Sequence, residues 1–140
     1  MAGYLGSDEK PVKNGWLHTG DLGSFDADGY LAITGRIKDV IIRGGENISP
    51  ALIERHLAIH PTIRDCCVVG APDADLGEVP VAFVVLRDGA GLDEPGLQDF
   101  VRASLARIYI PARIRPVETL PLNAVGKVNR KVLRDLAGRQ

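Results

Sequence analysis

Thr34-Gly35-Arg36-Ile37-Lys38-Asp39-Val40-Ile41-Ile42-Arg43-Gly44-Gly45-Glu46-Asn47-Ile48-Ser49-Pro50 is the stretch at which the chain changes character. It predicts a short strand at Val40-Ile41-Ile42, followed by a turn at Gly44-Gly45. Ser49 then offers an N-cap, Pro50 a first helical residue, and Ile48 a staple onto Ile53. The helix should run to about Ile59, where His60-Pro61 ends it. Downstream, residues 63–70 and 79–86 are valine-rich and bounded by turns, so both read as buried strands. Asp93 caps a second helix in which Leu97, Phe100, Val101, Leu105 and Ile108 recur at helical spacing, stopping before Pro111. Residues 114–117 read as a fourth short strand. A last helix should start near Asn129 and carry Val132, Leu133 and Leu136. This order fits an α+β fold, a small mixed or antiparallel sheet flanked by about three helices.

Upstream, residues 1–35 are rich in glycine and turn residues. Short apolar pieces lie between them, Trp16-Leu17 and Tyr30-Leu31-Ala32-Ile33, with Asp26-Ala27-Asp28-Gly29 as a turn between two strands. Too few large apolar residues are present to bury a core, so the segment reads as a β-rich edge of something larger. The 140 residues are 45% apolar, 25% charged and 5% aromatic. That is globular composition, which excludes wholesale disorder, collagen and coiled coil. No apolar run is long enough to span a bilayer. The first ten residues lack a basic segment followed by an apolar one, so secretion is not expected. The two cysteines, Cys66 and Cys67, are adjacent in an apolar stretch. Neighbours in a strand face opposite ways, so neither a disulfide nor a zinc site is expected. A reducing, cytoplasmic setting is the natural reading.

The net charge of -1 hides an asymmetry. Residues 1–101 carry eight Lys/Arg against sixteen Asp/Glu, whereas residues 102–140 carry nine against two. A basic end suggests an anionic partner such as nucleotide, phosphate or nucleic acid. It can equally be a solvated face that pairs with the acidic part of the same chain, and charge alone favours this second reading.

Gly126-Lys127 invites a phosphate-loop reading that fails. Pro121 stands where the loop needs its first glycine, and Val128 where it needs Ser or Thr. No Gly-x-Gly-x-x-Gly follows a strand. His18, His56 and His60 lack metal-ligand spacing, His56 and His60 reading as helix surface, and no metal site is expected. Three glycine-framed clusters are more specific. The first is Gly15-Trp16-Leu17-His18-Thr19-Gly20-Asp21-Leu22-Gly23. The second is the stretch 34–50 quoted above, and the third is Pro121-Leu122-Asn123-Ala124-Val125-Gly126-Lys127-Val128-Asn129-Arg130-Lys131. In this order, from about Gly3-Tyr4 to Leu136, they resemble the C-terminal portion of the adenylate-forming superfamily of acyl-CoA synthetases, luciferases and peptide-synthetase adenylation domains. The wording of 36–48 is similar to the acyl-CoA ligase branch.

The resemblance implies residues 1–35 as the edge of a large N-terminal adenylation domain and residues 36–140 as a small mobile C-terminal domain. Its function would be activation of a carboxylic acid, a fatty acid in the first instance, by ATP to an acyl-adenylate, then transfer to coenzyme A. ATP and Mg2+ would be held mainly by the large domain, which is also the expected partner. The chain alone is expected to be inactive, and residues 1–35 could self-associate. Neither nucleic acid nor a membrane span is expected. Alternatives are an adenylation domain loading a carrier protein and a non-catalytic module binding nucleotide or protein. By resemblance, Asp21 binds the ribose hydroxyls and Arg36 the ribose and phosphate side. The same resemblance implies that Lys127 would bridge the carboxylate and the α-phosphate during adenylation, that Lys38 would be the hinge, and that Gly44, Gly45, Glu46 and Asn47 would line a pantetheine tunnel. Arg43, Arg113 and Arg115 are candidates, on charge, for the phosphates of coenzyme A.

Overall fold

A computed structural model describes residues 12–139; Gly3 and Tyr4, where the resemblance begins, lie outside them. The chain divides into two compact units, the first ending at Lys38 and the second starting at Asp39. In the first, β1 (Val12–Lys13) pairs with β2 (Trp16–Leu17), and β3 (Asp21–Phe25) pairs antiparallel with β4 (Leu31–Arg36). The expected turn joins β3 to β4: Asp26 Oδ1 accepts from the amides of Asp28 and Tyr30, and Gly29 takes a positive φ. Trp16, Phe25 and Tyr30 are each more than 70% exposed, and the described residues of this unit bury no core of their own. One 3-10 turn, Ile37–Asp39, leads into the second unit.

The second unit is a mixed five-stranded sheet. β5 (Ile41–Arg43) and β6 (Glu46–Ile48) form a hairpin, and β7 (Ile63–Asp73) and β8 (Gly77–Leu86) a longer one. β7 runs along one side of β8 and is an edge of the sheet. The other side of β8 receives β5 at Gly77 and the parallel strand β9 (Arg113–Pro116) at residues 81–84. Helices α1 (Pro50–Ala58) and α2 (Glu94–Arg102) cover one face, and α3 (Arg130–Ala137) the other. The period-2 alternation of the long strands feeds both layers. Val68, Ala82 and Val84 point to Ile53, Leu57, Leu97 and Val101, while Cys67, Val69, Val81 and Phe83 point to Leu120, Leu133 and Ala137. The fold is α+β, with three helices on a small mixed sheet.

Three expectations need correction. The second helix ends at Arg102 rather than before Pro111. Ala106 takes an extended conformation, and Leu105 and Ile108 reach the core from a loop and a short 3-10 turn instead. In α3, Leu133 and Ala137 are buried, while Val132 and Leu136 remain about 40% exposed, because an eight-residue helix presents one narrow stripe to the sheet. His56 and His60 are more than helix surface. They flank the Phe100 ring at centroid distances of 4.8 Å, stacked and edge-on respectively, and so tie the end of α1 to α2.

Candidate functional site

Asp21 and Arg36 are direct cross-strand partners in the β3–β4 pair, and Arg36 Nε lies 3.0 Å from Asp21 Oδ1. Both are partly exposed. Each orients the other: the guanidinium keeps its two terminal nitrogens for an anion, and the carboxylate keeps Oδ2 for a hydroxyl. The Asp21 amide also meets Thr19 Oγ1 at 3.2 Å. Lys38 is exposed on the 3-10 turn between the two units.

The loop Arg43-Gly44-Gly45-Glu46 is a two-residue hairpin turn. Gly44 and Gly45 have φ of 58° and 85°, the left-handed pair that matches the twist of the flanking strands. A side chain at Gly45 would project into open space, so backbone conformation rather than crowding selects glycine there. The hairpin is braced from behind. The Gly44 amide donates to Leu76 O at 2.8 Å, and the Ile42 amide to Glu78 Oε2 at 3.0 Å. Arg43 donates to the carbonyls of Ile108 and Ile110 at 2.8 and 3.4 Å. Its charge is therefore engaged by main-chain carbonyls. Arg115 is engaged in the same way, donating to Leu136 O at 2.9 Å in α3 and to Arg139 O just beyond it. Arg113 is exposed at the start of β9. Glu46 and Asn47 are exposed.

Lys127 stands exposed in a turn of its own. Asn123 organises it: its Oδ1 accepts from the amides of Val125 and Lys127 at 3.1 and 2.9 Å, and its own amide donates to Lys127 O at 2.8 Å. Gly126, at φ 78°, closes the turn, and Leu122 bridges to Val128. Beyond it Asn129 caps α3, its Oδ1 lying 3.4 Å from the Val132 amide.

Sequence reasoning missed a cluster of charged side chains at the edge of β7. Arg130 Nη2 contacts both oxygens of Glu54 at 2.9 and 3.0 Å, and Nη1 donates to Val68 O at 2.8 Å. Glu54 Oε1 accepts the Val68 amide at 2.7 Å, so the ion pair satisfies both edge-facing groups of that residue. Arg130 Nε lies 3.7 Å from Asp39 Oδ2, and Arg134 Nη2 lies 3.3 Å from Asp39 Oδ1. Burial alone would lower the Arg130 pKa. Glu54 and the other negative neighbours outweigh it, so the pKa sits above its ordinary value. Part of the basic C-terminal charge is thus paired with the acidic part of the chain. The signal in the sequence was Glu54 at the border of the α1 face that buries Ile53 and Leu57.

Cys66 and Cys67 are unbridged and belong to opposite core layers. Burial foremost pushes both thiols up to about 12. Among the described residues no three His, Cys, Asp or Glu side chains are grouped to hold a metal. No helix among them is long and apolar enough to cross a membrane.

Known proteins are similar to this chain in sequence and fold. A methyl-dioxo-octahydro-indenyl-propanoyl:CoA ligase of Mycobacterium tuberculosis is 46% identical over 97% of this chain and 28% of its own length. A medium/long-chain-fatty-acid–CoA ligase of the same organism is 43% identical over 89% of the chain and 23% of its own length. The structure of an amide bond synthetase from Marinactinospora thermotolerans superposes with a TM-score of 0.85 at 39% identity, covering 90% of this chain and 26% of that one. The chain thus spans about a quarter of the length of the relatives it matches. The model of the AMP-binding enzyme C-terminal domain matches residues 52–127, ending on Lys127 itself. The chain belongs to the AMP-binding enzyme C-terminal domain family.

Proposed function

We propose that the enzyme carrying this chain is an acid–thiol ligase working in two steps. A carboxylate oxygen attacks the α-phosphorus of ATP, forming an acyl-adenylate and releasing pyrophosphate. The thiol sulfur of coenzyme A then attacks the acyl carbon, forming the thioester and releasing AMP. The observation that carries this reading is Lys127, an exposed ammonium on a turn held by Asn123 at the end of the family-matched segment. Such a cation can lie between two anions that must approach, the carboxylate and the α-phosphate, and oppose the charge that builds there. The Asp21–Arg36 pair supplies an acceptor for ribose hydroxyls beside a donor for phosphate. Lys38, between the two units, is the hinge that exchanges one step for the other. The Gly44-Gly45 hairpin, with Glu46 and Asn47, then lines the path of the pantetheine arm. In this reading residues 1–35 belong to the edge of a large N-terminal domain. That domain is the partner that holds ATP, magnesium and the acid in a cytoplasmic enzyme.

A fatty acid is the first substrate to try, in keeping with the similarity to a medium/long-chain-fatty-acid–CoA ligase. The similarity to an amide bond synthetase makes an amine the competing acceptor in the second step. The test measures two half-reactions in the intact enzyme. Lys127→Ala should slow pyrophosphate exchange by two to three orders of magnitude, about 3–4 kcal/mol of lost charge stabilisation. Thioester formation from supplied acyl-adenylate should survive. Equal loss of both in a folded protein would overturn the role of Lys127, and thioester formation by the 140-residue chain alone would overturn the need for a partner domain.

A further inference from the structure

Arg130 has no part in the reaction just proposed, yet from the first turn of α3 it reaches three other elements. It forks onto Glu54 of α1, donates to Val68 O on β7, and lies 3.7 Å from Asp39, the first residue of the second unit. Arg134, one helical turn further along α3, holds the other oxygen of Asp39. Arg130 is also the root of the Lys127 turn. It lies three residues beyond Lys127, directly after the cap Asn129, whose amide is tied to Pro121 O at 2.7 Å.

We propose that Arg130 is a positioning residue for Lys127, locking the root of the lysine turn to the residue that follows the hinge. The inference rests on the assignment of Lys127 to adenylation and Lys38 to the hinge. If the second unit turns about Lys38, its motion enters at Asp39. An ammonium that must meet two anions tolerates little slack between entry point and tip, because a misplacement of about 1 Å can cost a hundredfold in rate. Through the main chain, Asp39 and Lys127 are joined only by way of the whole sheet. Through Arg130 they are joined by one side chain and three residues. Shielding the edge of β7 accounts for Glu54 and Val68 but leaves Asp39 unexplained. Asp39 takes both of its arginines from α3, the helix that roots the lysine turn. The planar guanidinium matters here, since it spreads three nitrogens over Val68 O, Glu54 and Asp39, whereas a lysine at 130 would keep the charge with one nitrogen to place among them.

The test is a double-mutant cycle on pyrophosphate exchange in the intact enzyme, with Arg130→Lys placed in the Lys127 and Lys127→Ala backgrounds. The acid is whichever of a panel of straight-chain fatty acids and aryl carboxylates gives the fastest exchange. Acting through Lys127, Arg130→Lys should slow exchange about tenfold with the KM for ATP nearly unchanged, and slow the Lys127→Ala enzyme less than twofold. Asp39→Asn, which leaves the Glu54–Arg130 fork in place, should show the same dependence on Lys127 and decides the matter if Arg130→Lys does not fold. Equal fold losses in both backgrounds would overturn the proposal and leave Arg130 as a stabilising residue. If Lys127→Ala itself leaves exchange unchanged, the assignment of Lys127 falls first, and this inference with it.

Discussion

The two thiols show how far one peptide bond can separate two environments. Cys66 donates to Glu54 O at 3.4 Å in the layer of α1 and α2, while Cys67 is sealed under α3. Their adjacency in an alternating strand foretold the opposite facings. Both pKa values rise from 9.0 to about 12. Between those values the native chain keeps protons that the unfolded chain releases, so raising the pH favours unfolding. Stability should therefore be indifferent to the thiols below about pH 8 and fall from pH 9 toward 12, by at most about 1.4 kcal/mol per pH unit per thiol. Denaturant titrations at pH 8 and 10 check this, and replacing both cysteines by alanine should flatten the alkaline fall. At pH 8, iodoacetamide should modify the folded chain far more slowly than the unfolded one.

Elements were legible where local chemistry starts them and obscure where packing ends them. Asp93 and Asn129 cap their helices as their residue types foretell, the Asp93 carboxylate accepting the Gly96 amide at 3.0 Å. The end of α2 carried no comparable mark, because Leu105 and Ile108 keep the apolar spacing of a helix while packing from a loop. The strand β6 escaped notice because Glu46 and Asn47 are polar, exposed and on a short edge. Its hairpin yields an element-scale prediction. Gly45→Ala should destabilise the second unit by about 1–2 kcal/mol through its φ of 85°. Gly45→Trp adds bulk to the same strain and should slow thioester formation while sparing adenylation. Thermal unfolding of the 140-residue chain and the two half-reactions of the intact enzyme separate these effects. A Trp variant slowed equally in both steps would argue that the hairpin does not line the thiol's path.

At the scale of the molecule, the residues of the proposed site come from motifs, but the ties among them do not. Glu54 and Arg130 stand 76 residues apart, and no periodicity links them. The composition changes at Arg36, while the two compact units part after Lys38, since β4 continues through that arginine to pair it with Asp21. Limited trypsinolysis should cut first at or before Lys38 and leave a lasting fragment that begins near Asp39. Equally early cuts within residues 39–139 would contradict two separate units. The two faces of the sheet, finally, are unequally roofed: α1 and α2 share one, and the eight residues of α3 lie over the other. Local opening follows the thinner cover, so α3 should exchange its amide hydrogens before the strands beneath it do. The lysine turn would lift away with that helix. In the proposed reading, warming should then silence acid activation at temperatures where the sheet is still intact, a reversible thermal fuse set by the shortest α-helix among the described residues.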